Sequence, residues 1–305
     1  MAVNLEIYEY INRIIPKDNI HQKEPMSRHT TFRVGGTADL LIEIETAEQL
    51  LAVLDLFHKT DTEYFILGNG SNLLVGDKGY QGIIIQIASK MSKIEVMGTT
   101  IIAQAGAKLS QVAGEACTHH LAGLEFAAGI PGTIGGAVVM NAGAFEGEMQ
   151  QIVTSVKVIS PDGELLELDN ATMEFAYRSS VIRNRKFTVI EVTMQLHESN
   201  EEEIRAKMKE LTARRLDKQP LEYPSAGSTF KRPQGYYAGQ LIMDAGMRGF
   251  RVGGAQVSEK HCGFIVNLGD ATAEDIMEVI HTVQERVFDK FGVNLELEVI
   301  PLGEF

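Results

Sequence analysis

The sequence has no tryptophan, two cysteines and eight prolines in 305 residues, and it is short of cations. Cys117 and Cys262 are too few for a disulfide scaffold and form no C-x-x-C pair. Lys and Arg number 28 against 41 Asp and Glu, a net charge of −13. A field of that sign repels phosphate, so general binding to nucleic acid or an anionic membrane is excluded. No apolar run is long enough to span a bilayer, and the first twenty residues carry Glu6, Glu9 and Asp18. No signal peptide is therefore expected, and the expected location is the cytoplasm. Also missing are a Walker loop, the Rossmann spacing G-x-G-x-x-G, a G-x-S-x-G elbow and an H-E-x-x-H pair. His119 and His120 are adjacent, about 100° apart on a helix, and poorly placed to share a metal; none is expected.

What is present is ordinary globular material, 44% hydrophobic and 23% charged. At ~150 residues per domain the length predicts about two domains. The cations are unevenly spread: the window 178–260 holds 15 basic and 10 acidic residues, so the rest of the chain is strongly acidic. Such a distribution suits a local site for a small anion inside a protein that discourages polyanions. Five of those cations lie in 201–215, however, where a solvated helix face accounts for them equally well.

Periodicity gives a mixed α and β chain. Leu5, Tyr8, Ile11 and Ile15 form a helical stripe ending at Pro16. Thr46 and Gln49 form a capping box for a helix over 46–59, with Leu50, Leu51, Leu54 and Phe57 on its buried face. Strands are expected at 64–67, 73–75, 83–87 and 189–196, and hairpins at 94–104 and 153–168. Ser110 is the expected cap of a helix to 118, and Ser199 with Glu202 that of a charged helix to about 217. Further helices are expected over 236–245 and 272–291, the second capped by Thr272 and Asp275 and stopped by Gly292. A final strand is expected over 293–300.

Two glycine-rich loops carry the first chemical signal. Gly68-Asn69-Gly70-Ser71-Asn72 lies between two strands. Gly129-Ile130-Pro131-Gly132-Thr133-Ile134-Gly135-Gly136 is followed by Asn141-Ala142-Gly143-Ala144. Glycine permits positive φ and close approach, so successive N–H groups can form an anion nest. Each loop alone is an ordinary tight turn; the pair suits a diphosphate held without a Rossmann fold.

Taken in order, His29–Gly36, Leu67–Val75, Gly123–Gly136, Tyr177-Arg178-Ser179, Gly227-Ser228-Thr229-Phe230-Lys231 and Gly253–Ser258 are specific enough to name a family. Over nearly its whole length the sequence resembles the UDP-N-acetylenolpyruvoylglucosamine reductases, flavoenzymes of bacterial peptidoglycan precursor synthesis. The resemblance implies an α+β protein with a vanillyl-alcohol-oxidase-type FAD-binding domain of two α+β subdomains, over 1–198 with an inner boundary near 88. A substrate-binding α+β subdomain would follow over 199–292, and a C-terminal strand, 293–305, would return toward the flavin. It implies non-covalent FAD on Gly68, Asn69, Gly70, Ser71, Asn72 and Leu73 from the first loop. The second loop would add Gly129, Pro131, Gly132, Thr133, Gly135, Gly136, Asn141 and Gly143. The short segment between Arg178 and Val189 lacks the insertion whose tyrosine covers substrate in one branch, so the chain resembles the shorter branch.

The implied reaction passes a hydride from NADPH through the flavin to the β-carbon of an enolpyruvyl ether on a UDP-sugar. Charge left at the α-carbon delocalises into the adjacent carboxylate, which calls for a cation there and an acid at the α-carbon. The residues matching the family's catalytic motifs are Arg178, Ser228 and Glu298. Arg178 suits a bidentate grip on the carboxylate, Ser228 is the implied proton donor, and Glu298 the implied polarising acid. In a strand over 293–300, Glu296 and Glu298 share one face, so periodicity does not separate them; only the family match selects Glu298. For the diphosphate and uridine of the substrate the candidates are Lys218, Lys231, Arg232, Tyr237, Gln240, Lys260 and His261. Expected partners are the nucleotide-sugar and NADPH, with neither nucleic acid nor membrane. The rival readings are another flavin oxidase or dehydrogenase of the same fold, and a non-catalytic nucleotide-sugar binder.

Overall fold

The computed structural model describes residues 4–145 and 147–305. Met1, Ala2 and Val3, which open both the expected 1–198 region and the N-terminal stretch read for a signal, lie outside them. Eight α-helices occur among the described residues: α1 Leu5–Ile14, α2 Ala47–Lys59, α3 Leu109–Thr118, α4 Ile134–Val139, α5 Val181–Asn184, α6 Glu201–Lys218, α7 Ala238–Asp244 and α8 Ala273–Phe291. With the strands they make an α+β protein.

Most of these helices start and stop for reasons visible in the sequence, and four depart from expectation in detail. In α1 the buried stripe is Ile7, Ile11 and Ile15, while Leu5 is 69% exposed. In α2 the Thr46 hydroxyl accepts from Gln49 N–H at 3.2 Å, but the Gln49 side chain reaches back to the Glu45 N–H at 2.9 Å. Its buried residues are Leu50, Val53, Leu54 and Phe57. Helix α3 begins at Leu109 without a side-chain cap; the Leu109 N–H instead donates to the Gly132 carbonyl at 3.1 Å. For α6 the cap is Asn200, whose Oδ1 accepts from Glu202 N–H at 2.7 Å.

A four-stranded sheet runs in the order Ile20–Pro25, Thr37–Glu43, Tyr80–Gln86, Tyr64–Leu67, the last pair parallel. A five-stranded antiparallel sheet has the order Leu165–Asp169, Val153–Ile159, Thr188–Gln195, Thr100–Gln104, Ile94–Met97. A three-stranded sheet joins Arg251–Val252, Ala255–Val257 and Ile265–Asn267. The expected strand over 293–300 does not form. The strand is Ile300–Leu302, parallel to Leu73–Val75, and before it Leu297 makes only an isolated bridge to Phe230. Leu295 and Val299 are buried as alternation requires, yet this stretch meets the 229–231 segment only around that one bridge and does not extend into a ladder.

The chain forms two compact units. One takes the chain up to Gln22, Leu40–Asn69 and Gly82–Arg214; the other takes Lys23–Asp39, Gly70–Gln81 and Arg215–Phe305. This division differs from the expected breaks at 198 and 292. Most of α6 belongs to the first unit because Ile204 packs with Cys117 and Ala122 there. Phe32, Val34 and Leu74 enter the core of the second unit with Ala238, Ile242, Ile276 and Val283. The rise in charge after 199 thus marks a solvated helix face.

Candidate active site

In the first unit the two glycine loops approach one another. A Cβ on Gly68 would lie 2.5 Å from Thr133 Oγ1, so only glycine fits there. Asn69 Nδ2 donates to the Pro131 carbonyl at 2.8 Å. Not every N–H of the second loop is available to a ligand. Ile134 N–H goes to Ala107 O and Gly135 N–H to Ala105 O, both at 2.8 Å, and Gly136 N–H caps onto Thr133 Oγ1 at 3.3 Å. The N–H groups of Asn69, Gly129, Gly132 and Thr133 have no partner among the described residues. Four backbone donors on two touching loops are what a diphosphate needs.

In the second unit, Gly70 has φ +60° and an added Cβ would run into the His29 carbonyl. Thr31 N–H donates to Gly70 O at 3.2 Å, and the buried Thr31 hydroxyl has no hydrogen-bond partner. Buried polar atoms are rarely left unmatched, which makes this hydroxyl a group that a bound ligand could satisfy. Ser71 is half-buried, and Leu73 is buried in its strand.

Arg178 sits in a two-residue turn of the first unit. Ala176 and Ser179 bond each other in both directions at 3.1 Å, with Tyr177 and Arg178 at the tip and Arg178 at φ +53°. Its guanidinium donates to the Gly143 carbonyl at 3.3 Å and lies 5.0 Å from the Tyr177 ring centroid. A non-glycine residue at positive φ is a modest strain that surrounding contacts must hold.

Ser228 and Glu298 lie on adjoining segments of the second unit. Thr229, next to Ser228, is fully buried; its N–H donates to Gly263 O at 2.9 Å and its hydroxyl accepts from Ile265 N–H at 3.2 Å. The Thr229 carbonyl accepts from Glu298 N–H at 2.9 Å, and Asn72 Nδ2 donates to the Glu298 carbonyl at 2.9 Å. Glu298 is half-buried. Glu296, which alternation left equivalent, is exposed and ion-paired with Lys231 at 3.1 Å. The bend after Leu297 is what separates the two carboxylates.

The substrate candidates fall into different settings. Arg232 stacks 3.9 Å over the Tyr237 ring centroid. Lys260 Nζ donates to Leu216 O at 2.6 Å near the end of α6, and Gln240 donates to Asp244 at 2.8 Å. His261 is half-buried with Nδ1 accepting from Gly263 N–H at 3.1 Å, and burial holds its pKa below the usual histidine value. Lys218 is exposed.

Arg215 is a further candidate. Arg215, in the last turn of α6, has a buried Nε without a partner, as does Oε1 of Gln219 one turn on. Burial lowers the Arg215 pKa with no carboxylate to offset it. The signal was in the sequence: Ile204, Met208, Leu211 and Arg215 follow helical spacing, which puts a cation on the buried stripe.

Two family models match: an FAD-binding domain over residues 38–169, and the C-terminal domain of UDP-N-acetylenolpyruvoylglucosamine reductase over residues 219–302. A relative named UDP-N-acetylenolpyruvoylglucosamine reductase from Clostridioides difficile is 48% identical over 99% of both chains. The chain belongs to the UDP-N-acetylenolpyruvoylglucosamine reductase family. Another member, from Caldanaerobacter subterraneus, is 47% identical over 98% of both chains. The crystal structure of the Thermus caldophilus reductase superposes with a TM-score of 0.80 at 38% identity, covering 92% of this chain and 97% of that one.

Membership settles the fold class and the cofactor type: this reductase binds FAD, and the facing glycine loops with their unpartnered donors fit that group. A glucose dehydrogenase, Phl p 4, aligns over 63% of the chain at 14% identity and a TM-score of 0.50. That likeness is one of fold alone, and it gives the rival flavin-enzyme reading no further support. Among the described residues no cluster of three or more His, Cys, Asp and Glu is placed to hold a metal, and no helix is long and apolar enough to cross a membrane.

Proposed function

We propose that this reductase uses NADPH to reduce the enolpyruvyl group of UDP-N-acetylglucosamine enolpyruvate to UDP-N-acetylmuramate, in the cytoplasm, as a step of peptidoglycan precursor synthesis. Bound FAD would supply the hydride-transfer chemistry between NADPH and the β-carbon of the double bond. Asn69, Gly129, Gly132 and Thr133 would hold the cofactor diphosphate by backbone N–H donation, with Gly68, Pro131, Gly135 and Gly136 shaping the loops. Gly70, Ser71, Asn72 and Leu73 continue the same binding segment.

Arg178 takes the substrate carboxylate and stabilises the charge that builds there, in a setting where fixed donors need no reorganisation. Ser228 gives its hydroxyl proton to the α-carbon. A hydroxyl is a weak acid, but a carbanionic carbon is a strong base, so the transfer is downhill once the two atoms are aligned. Glu298 assists at the same centre. Lys231, Arg232 and the half-buried Arg215 bind the substrate diphosphate, with Tyr237, Gln240, Lys260, His261 and Lys218 as its further neighbours. The observation that carries this reading is the pairing of the Ser228 and Glu298 segments through Thr229, in a chain 48% identical to a family member over 99% of its length.

Anaerobic absorption spectroscopy tests it. The flavin bands should bleach with NADPH and return on adding UDP-N-acetylglucosamine enolpyruvate. In Ser228→Ala the bleaching rate should stay within about twofold, while the return slows by roughly 10²-fold or more, the usual size of a lost acid–base contribution. Equal damage to both steps would remove Ser228 from the proton-donor role, and bands that bleach without returning would reopen the substrate.

A further inference from the structure

Asn141 was expected to serve the cofactor, yet its side chain is engaged elsewhere. It is 1% exposed. Its Nδ2 donates to the Ala176 carbonyl at 3.2 Å and to Glu148 Oε2 at 3.3 Å, and its Oδ1 accepts from Gln150 N–H at 2.9 Å. Both amide protons and one of two lone pairs are thereby taken. Ala176 closes the turn that carries Arg178. Asn141 also has φ +40°, the left-handed conformation asparagine tolerates better than most residues.

Two neighbouring contacts act on the same turn. Gly143, two residues beyond Asn141, accepts from the Arg178 guanidinium through its carbonyl. Ser180, just after the turn and fully buried, donates its hydroxyl to the Val139 carbonyl at 3.0 Å. The stretch from the end of α4 to Gly143 thus brackets the turn: Val139 and Asn141 fix its backbone, and Gly143 fixes the arginine head. An arginine at φ +53° in a solvent-facing two-residue turn would otherwise sample other conformers.

We propose that Asn141 is a positioning residue for Arg178: its amide holds the Ala176 carbonyl, sets the turn, and so aims the guanidinium at the substrate carboxylate. This rests on the assignment of Arg178 made above. Displacing a reacting group by about 1 Å can cost on the order of 10²-fold in rate, so loss of the amide should fall on the substrate half of the cycle and spare cofactor binding.

The test uses the FAD-loaded enzyme. Asn141→Gly removes the amide while keeping positive φ free of strain. It should retain stoichiometric FAD, bleach with NADPH within about twofold of wild type, and recover with the enolpyruvyl substrate about 10- to 100-fold more slowly. Arg178→Ala alone should show the same split, and the double variant should recover no more slowly than Arg178→Ala, because both changes disable one device. Additive effects in that cycle, loss of FAD, or equal slowing of both steps would overturn the proposal. If Arg178→Ala recovers at the wild-type rate, the assignment of Arg178 itself fails, whatever Asn141→Gly does. Should Asn141→Gly not fold, Asn141→Asp decides: it tolerates the same φ and keeps the acceptor for Gln150, but turns an oxygen toward the Ala176 carbonyl, and it should give the same split.

Discussion

At the scale of single residues the informative cases are polar groups whose partners are missing or unexpectedly present. Arg215 is a half-buried cation whose Nε has no hydrogen-bond partner, and burial alone lowers its pKa. No acidic partner among the described residues offsets that desolvation, which is the setting expected of a cation that meets the substrate diphosphate proposed above. Arg215→Met keeps the aliphatic bulk and removes the charge. It should leave the urea midpoint of the protein unchanged or raise it, while KM for the nucleotide-sugar rises about 10-fold or more, the worth of a hydrogen bond to a charged group. A loss of stability with unchanged KM would make Arg215 a packing residue. Glu296 and Glu298 teach the complementary lesson. Alternation placed both on one face, yet Glu296 is exposed in an ion pair with Lys231, while Glu298, in the bend after Leu297, is half-buried with its backbone bonded to Thr229 and Asn72. Such tertiary bonds, to partners 65 to 70 residues back or in a distant loop, leave no mark on local periodicity.

At the scale of elements, α8 shows how far local chemistry was legible. Thr272 and Asp275 were readable as a capping box, and they form one: Thr272 Oγ1 accepts from Asp275 N–H and Asp275 Oδ2 from Thr272 N–H, both at 3.0 Å. Gly292 ends the helix at φ +65°, as expected. What local reading could not supply is Asp77, almost two hundred positions away. Its two carboxylate oxygens accept from Ala273 and Glu274 N–H, each at 2.9 Å. The first-turn donors of α8 are thus matched by three side chains. Backbone hydrogen bonds, from Thr272 first and then Gly254, hold the Asp275 carboxyl below its usual value. Asp77→Ala should reopen two donors at the end of a core helix and cost about 1–2 kcal/mol, read as a lower urea midpoint with unchanged slope. Asp77→Asn, which keeps one acceptor, should cost less; equal losses would mean that charge, not hydrogen bonding, is what Asp77 supplies. The same contrast explains the cap of α3. Ser110 looked like the cap because its type fits, but the Gly132 carbonyl meets the Leu109 N–H first.

At the scale of the whole molecule the two cores were hidden for a topological reason. Composition changes near 199, yet Phe32, Val34 and Leu74 from the first quarter of the chain build the second core with α7 and α8, and a one-dimensional reading has no means of interleaving segments. The charge balance was legible and has a kinetic consequence. A protein of net charge −13 meets a substrate that carries a diphosphate and a carboxylate, so its far field opposes encounter. The cations assigned to binding act at contact range, where salt screens little. The Debye length falls from about 30 Å at 0.01 M to about 8 Å at 0.15 M ionic strength, so added salt removes the long-range repulsion first. The association rate constant of the nucleotide-sugar, measured by stopped flow, should therefore rise on the order of two- to fivefold between those concentrations and then level off. The opposite slope, a steady fall with salt, would mean that the cation excess of the 178–260 window, rather than the net charge, governs encounter.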